Sequence, residues 1–217
     1  MLKKIFLVSI AVLSIVSCTK KRDLNEKVLH LTVDNKVKGM DPINTGDTYS
    51  STEVARVYEG LLQYHYLKRP YEVIPLLAEG MPTVSQDGLS YLIKIKKGIR
   101  YHSKQNPELK ERFVEAEDFV WQVKRLAYRP LKGTGAWLFS GKVKGFNKFQ
   151  EAVGDDIQKF FTEPLEGFRA IDKHTIEVKL NRPEPNLLYF LSMTFTTPTP
   201  IEILKKYGNM SAPTILF

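Results

Sequence analysis

Hydrophobic and polar positions along this chain follow two periods, one near 3.6 and one of two. Between residues 53 and 64, EVARVYEGLLQY, Val54, Val57, Tyr58, Leu61 and Leu62 recur at spacings of three and four, which predicts an amphipathic helix with one buried stripe. Gly60 is then either a C-cap with Leu61 packed back on it, or an interior glycine tolerated at a cost of about 1 kcal/mol. The strongest helical pattern is residues 115–127, EAEDFVWQVKRLA. Phe119, Val120, Val123, Leu126 and Ala127 form its stripe; acids lead and Lys124 and Arg125 close, in the order the helix dipole favours. Tyr128-Arg129-Pro130 ends it. A last short helix is expected from about Pro200 to Tyr207, with Gly208 behind it.

Alternation marks the strands. Leu29, Leu31 and Val33 predict a first strand over Val28–Val33. After the turn signal Gln86-Asp87-Gly88, SYLIKIKKGIRY is a strand pair or one long strand, with Tyr91, Ile93 and Ile95 inward and Lys94 and Lys96 in solvent. FRAIDKHTIEVKL contains a strand with Ile176, Val178 and Leu180 on one side, and the apolar segment NLLYFLSM follows Pro183 and Pro185. Residues 40–52, MDPINTGDTYSST, form a turn-rich loop in which Ser51 or Thr52 caps the next helix. LLAEGM between Pro75 and Pro82 is a turn or short helical piece, and residues 131–167 are glycine-rich with short patterns. The fold class is mixed α/β without the regular strand–helix rhythm of a doubly wound sheet.

One apolar run obeys neither period. Lys3 and Lys4 precede residues 5–16, IFLVSIAVLSIV, and then Ser17 and Cys18, the sole cysteine. Twelve apolar residues fall short of the about 20 that span a bilayer. The order resembles a bacterial lipoprotein signal, with residues 1–17 as signal peptide, Ile15-Val16-Ser17-Cys18 as lipobox, and Cys18 as the lipidated first residue of the mature chain. Several acyl chains anchor stably where one does not. Residues 18–27 then form a polar tether, and residues 28–217 the folded part. A lone cysteine allows no disulfide within the chain. With 217 residues, 43% of them hydrophobic, the chain can bury a sizeable core. Loss of Lys3 and Lys4 takes the formal charge from +8 to +6, spread over scattered lysines.

Candidate chemistry is sparse. His30, His65, His102 and His174 have no metal-ligand spacing, no serine sits in a GxSxG context, and KGTGAW lacks the phosphate-binding ending, so Gly133 and Gly135 are turn residues. Glu117 and Asp118 suggest paired carboxylates, but adjacent acids at a helix start serve the dipole. Lys94, Lys96 and Lys97 near Tyr91 and Tyr101 suggest stacking on nucleic acid; export and strand alternation argue against it. Neither an enzyme nor a cofactor is expected.

Four blocks in order carry a family resemblance: MDPINTGDTYSSTEVARVYEGLLQY, VIPLLAEGMPTVSQDGLSYLIKIKKGIRYH, AEDFVWQVKRL and IDKHTIEVKLNRPEPNLLYFLS. They resemble the first lobe of the peptide/nickel-type solute-binding proteins of bacterial ABC importers, the oligopeptide- and dipeptide-binding family. The resemblance implies a periplasmic solute-binding-protein-like lobe, with Tyr58, Glu59, Gly60 and Leu61 as a structural signature in which a helix ends in a turn, and Asp118 as a scaffold residue. It implies a peptide or similar small solute as ligand and an ABC importer permease as partner, in the cell envelope outside the cytoplasmic membrane. Asp47, Thr48, Tyr49 and Ser51 are the expected ligand contacts, for they put charge, hydroxyls and an aromatic face on the 40–52 loop; as a bland alternative they are loop polarity and caps.

Departures from the family pattern stand at Gly80-Met81, at the insert SKQNPELKERF (residues 103–113) and at Glu115. Members of the family are also much longer, and nothing before Phe217 matches their second lobe. One lobe leaves a half-site open to water, so the expectation is weak binding by this chain alone, with a separate chain or further sequence supplying the second lobe. The competing reading is a truncated, non-transporting lipoprotein acting as an interaction or scaffold module.

Overall fold

The structure, a computed structural model, describes Thr32 and residues 35–104 and 106–207. The chain divides into two compact units, Met1–Asp34 and Asn35–Phe217, and apart from Thr32 the described residues lie in the second. The signal peptide, Cys18, the tether and the strand expected at Val28–Val33 therefore fall outside the described residues, as does Gly208. None of the described helices is long and apolar enough to cross a membrane.

Two antiparallel sheets organise the described residues. The smaller pairs β1 (Leu62–Tyr64) with β2 (Val73–Pro75). The larger has the order β3-β4-β6-β5, built from Thr83–Val84, Ser90–Lys94, Thr175–Lys179 and Phe168–Asp172. The alternation read in SYLIKIKK holds: Tyr91, Ile93 and Ile95 are buried while Lys94 and Lys96 are exposed. Gly88, at φ +69°, supplies the left-handed turn between β3 and β4. FRAIDKHTIEVKL forms a hairpin of two strands, where its alternation predicts one. The Asp172 carboxylate accepts the His174 N–H at 2.7 Å and closes its turn.

The opening helix departs from expectation. α1 runs Thr48–Ala55, and its N-cap is Asp47, whose Oδ1 accepts the Ser50 N–H at 3.0 Å; Ser51 and Thr52 lie inside the helix. α1 stops before the YEGL signature, so Gly60 is neither its C-cap nor its interior. Instead, residues 58–61 are irregular chain with Tyr58, Gly60 and Leu61 buried and Glu59 exposed. The Gly60 carbonyl accepts the Leu77 N–H at 3.2 Å, and the Leu61 carbonyl accepts those of Leu76 and Ala78, each at 3.0 Å. Backbone pairing with 76–78 outcompetes one more helical turn, and so LLAEGM is a run of bends with an isolated bridge from Ala78 to Ile95. The helical period in 53–64 reflects burial of Val54, Tyr58, Leu61 and Leu62 on both sides of the break.

α2 (Ala116–Ala127) fits its pattern and packs across β5 and β6. Phe119, Val120, Val123, Leu126 and Ala127 are buried, as are Asp118, Gln122, Lys124 and Arg125. Only Glu117 of its residues is exposed, so the helix is central to the core and not a surface helix with one wet face. Arg129–Leu131 continues as a 3₁₀ turn. The glycine-rich region holds two helices that the sequence pattern missed, α3 (Phe146–Val153) and α4 (Ile157–Thr162), whose Phe146, Phe149 and Phe160 are buried. α5 (Leu187–Phe190) comes from NLLYFLSM, and α6 (Ile201–Tyr207) agrees with the expected last helix. The 103–113 insert clasps α6: Leu109 and Ile203 are buried together, Lys206 meets Glu108 at 2.6 Å, and Arg112 meets Glu202 at 3.0 Å.

Candidate functional site

α1 brings its polar face to the protein surface between three depressions. Thr45, Gly46, Asp47, Thr48, Ser51 and Thr52 line a shallow trough of about 610 Å³ that reaches Arg56. Ser51 and Ala55 also line a groove of about 430 Å³, whose far wall is Tyr64, Tyr189, Phe190, Met193 and Thr194, with Asn186 and Ser192 adding polar groups. Beyond the C-terminal end of α1, Arg56, Glu59, Arg100, His102 and Lys104 surround a cavity of about 540 Å³ with an apolar floor at Leu77, Ile99 and Val114. Arg56 and Arg100 are paired with Glu53 and Glu111 at 3.1 and 2.8 Å.

The expected contacts separate on this geometry. Thr48 and Ser51 line the trough, and Ser51, with Ala55, is shared with the tyrosine-walled groove. Asp47 lines the trough but is committed to capping: the Ser50 N–H and hydroxyl hold its carboxyl below the usual range, and Lys38 lies at 3.9 Å. Tyr49, 37% exposed, lines neither depression. The sequence pattern puts all four on a loop; three stand on the helix and the fourth caps it, because the Asp47 side chain starts the helix earlier than Ser51 or Thr52 would. Tyr58 and Leu61 are buried, and Gly60 is too, while Glu59 faces the basic cavity. Tyr64, Tyr189, Met193 and Thr194 were not singled out in the sequence. The available signal was a phenol in each of two apolar runs, LLQY and NLLYF, beyond what a core requires.

Two buried polar networks hold this face in place. Arg125 Nη2 lies 2.6 Å from Asp41 Oδ2, and Asp41 Oδ1 accepts the Ile43 N–H at 3.3 Å, which fixes the 3₁₀ turn Pro42–Asn44 before α1. Arg125 Nη1 donates to Gln122 Oε1 at 3.0 Å; Gln122 in turn donates to the Phe195 carbonyl at 3.0 Å and accepts the Thr199 hydroxyl at 2.6 Å. The stretch 194–199 behind the groove is thus tied through α2 to the residues ahead of α1. The second network centres on Asp118, which accepts from Arg112 at 2.7 Å, the Tyr101 hydroxyl at 2.9 Å and the Glu115 N–H at 2.9 Å. Burial pushes its carboxyl up to about 6, against the pull of these donors. Asp118 is therefore a hub for the insert and α2 and does not pair with the exposed Glu117. Lys124 sits over the rings of Trp121, Phe149 and Phe160 at 4.2 to 5.6 Å, with burial pushing it down to about 8.

Among the described residues no cluster of histidine, cysteine or carboxylate side chains could hold a metal ion. His65 Nδ1 accepts the Leu67 and Lys68 N–H groups, each at 3.2 Å, and His102 lines the basic cavity. What the face offers is hydroxyls, ring faces and a thioether around an open groove, a surface suited to binding a flexible polar chain with apolar side groups.

A family model for bacterial extracellular solute-binding proteins, family 5 middle, matches residues 72–214, well over half of the chain. The chain is 28% identical over 185 residues to the oligopeptide-binding protein SarA of Streptococcus gordonii, covering 83% of this chain and 26% of SarA. It is 27% identical over 192 residues to the dipeptide-binding protein of Escherichia coli, covering 85% of this chain and 32% of that protein. The solved structure of the pheromone receptor PrgZ, described with its mode of peptide binding, superimposes with a TM-score of 0.68 at 28% identity over 82% of this chain and 32% of that one. The chain spans about a quarter to a third of the length of these relatives. Over that span its mixed α/β fold resembles the first lobe of oligopeptide-binding proteins.

Proposed function

We propose, since the chain belongs to the bacterial extracellular solute-binding proteins of family 5, a non-catalytic family associated with transport, that it captures peptides or similar small solutes outside the cytoplasmic membrane for an ABC importer. The observation that carries this reading is the groove between Ser51 of α1 and the Tyr64–Tyr189 wall, together with the trough that continues it past Thr48. A peptide needs hydrogen-bond partners for its backbone and apolar walls for its side chains. Thr48, Ser51, Ser192 and Thr194 offer the first, while Tyr64, Tyr189, Phe190 and Met193 offer the second. SarA and PrgZ, named for oligopeptide binding and a pheromone receptor, support a peptide over other solutes.

In this reading the described residues form one wall of the site. An open wall leaves its hydrogen bonds in competition with water, and enclosure by a second lobe, on this polypeptide or another, provides the remaining contacts and the closure an importer senses. Glu59 and Gly60 are scaffold, and lipidated Cys18 is the anchor to the membrane. Titration of the full chain in detergent with a mixed peptide library, followed by residue-resolved NMR shifts, tests the proposal. Shifts clustered at Thr48, Ser51, Tyr64, Tyr189 and Thr194, with dissociation constants of about 0.1–1 mM, are expected. No shift at these residues with millimolar peptide would overturn it, and a protein partner captured on the same face in place of peptide would favour a scaffold role.

A further inference from the structure

Tyr189 lines two grooves at once. On one side lies the Ser51 groove of about 430 Å³; on the other, a second of about 560 Å³ lined by Tyr71, Val73, Met81, Pro185 and Leu188. The partition between them is built from tyrosines. Tyr64 and Tyr189 stack with centroids 6.0 Å apart and planes at 26°, Tyr71 meets Tyr64 edge-on at 5.7 Å, and the Arg69 guanidinium lies 4.3 Å over Tyr71. These rings are 44%, 41% and 62% exposed for Tyr64, Tyr189 and Tyr71. None of the three phenols has a hydrogen-bond partner among the described residues. A connected row of half-exposed rings with free hydroxyls is what a binding surface needs and a core does not.

Resting on the proposed peptide capture, we propose that this double groove selects proline-rich peptides in the polyproline II conformation. Such a chain has three residues per turn and a rise of about 3.1 Å, so residues three apart face the same way at a spacing of about 9 Å and can address the grooves on the two sides of Tyr189. Its prolines lack N–H groups and its carbonyls make no internal hydrogen bond. The phenols of Tyr64, Tyr71 and Tyr189 are donors that match those carbonyls, and the ring faces fit pyrrolidine rings with little loss of ligand entropy. Strand addition fits less well: β1 and β2 are three residues each, and β2 ends in Pro75. The charge at the second groove agrees with a neutral or acidic ligand, since its Glu72 is paired with Lys68 at 2.7 Å while Arg69 has no carboxylate partner among the described residues.

Fluorescence anisotropy of the full chain in detergent, with labelled decapeptides of equal charge, tests the proposal. A peptide with proline at every third position should bind about tenfold more tightly than a glycine–serine peptide. Tyr189→Ala should remove most of that preference, and Tyr189→Phe, which keeps the ring and its stacking face, should weaken proline binding two- to threefold through loss of one donor. Equal affinity for both peptides, or preference unchanged in Tyr189→Ala and Tyr71→Ala, would overturn this inference while leaving peptide capture standing. Displacement of the proline peptide by a neutral oligosaccharide but not by unlabelled peptide would overturn it in favour of a glycan surface. Failure of every peptide to bind would remove both readings together.

Discussion

Arg125 was placed by its sequence position at a helix end, where a cation complements the dipole, but in the structure it is fully buried against Asp41. The difference matters energetically, because a surface charge near a helix end contributes about 0.3–1 kcal/mol whereas removing one partner of a buried pair costs about 3–5 kcal/mol. Arg125→Met should therefore lower urea stability by about 3–5 kcal/mol, and a loss below about 1 kcal/mol would return Arg125 to the dipole role. Asp118 makes a second residue-level prediction. Burial raises its folded pKa from 3.8 to about 6, so the folded state holds the proton more tightly than the unfolded chain does. Its contribution to stability is complete below about pH 3.8 and is lost as pH rises toward about 6, a span worth about 3 kcal/mol. Denaturant midpoints between pH 4 and 6.5 should show this falling component, and Asp118→Asn should flatten it.

At the scale of elements, legibility followed how local the deciding interactions are. α2, the β4 alternation, the Gln86-Asp87-Gly88 turn and α6 are set by neighbours within a few residues and were readable. The end of α1 was not, because it is decided by backbone pairing of residues 60 and 61 with 76–78. α3 and α4 hide among glycines, and their phenylalanines make sense only against partners outside the two helices, Phe160 against Trp121 and Tyr128 and Phe146 against Phe139. The proposed site divides along the same line. Thr48 and Ser51 come from one local stretch, whereas the wall facing them is assembled from β1 and α5. Glycines make the contrast testable. A Cβ on Gly60 would meet nothing nearer than 3.6 Å, while one on Gly167 would stand 2.4 Å from the Lys144 carbonyl oxygen and 2.7 Å from that of Lys179. Gly60→Ala should change thermal stability by no more than about 1 kcal/mol, and Gly167→Ala should cost about 1–3 kcal/mol or more. Equal effects at the two positions would contradict the crossing of backbones at Gly167.

For the whole molecule, attachment and capture are separable. If Cys18 carries the anchor, intact mass of membrane-extracted protein should show loss of residues 1–17 and added acyl mass, and Cys18→Ser should leave the protein unprocessed or released. A mature chain that keeps residues 1–17 would end that proposal without touching the groove. The order of the larger sheet has a different consequence, one of timing. β4 lies between β3, a few residues before it, and β6, and its Ile93 pairs with Ile176. A ribosome adding about 5–20 residues/s leaves roughly 4 to 17 s between making one and the other. A β3–β4 hairpin formed within that interval would present an unpaired edge and an uncovered row of Tyr91, Ile93 and Ile95, the combination that recruits the wrong strand. A chain kept unfolded through those seconds, as proposed export requires, would form the hairpin only once residues 175–179 are there to pair with it.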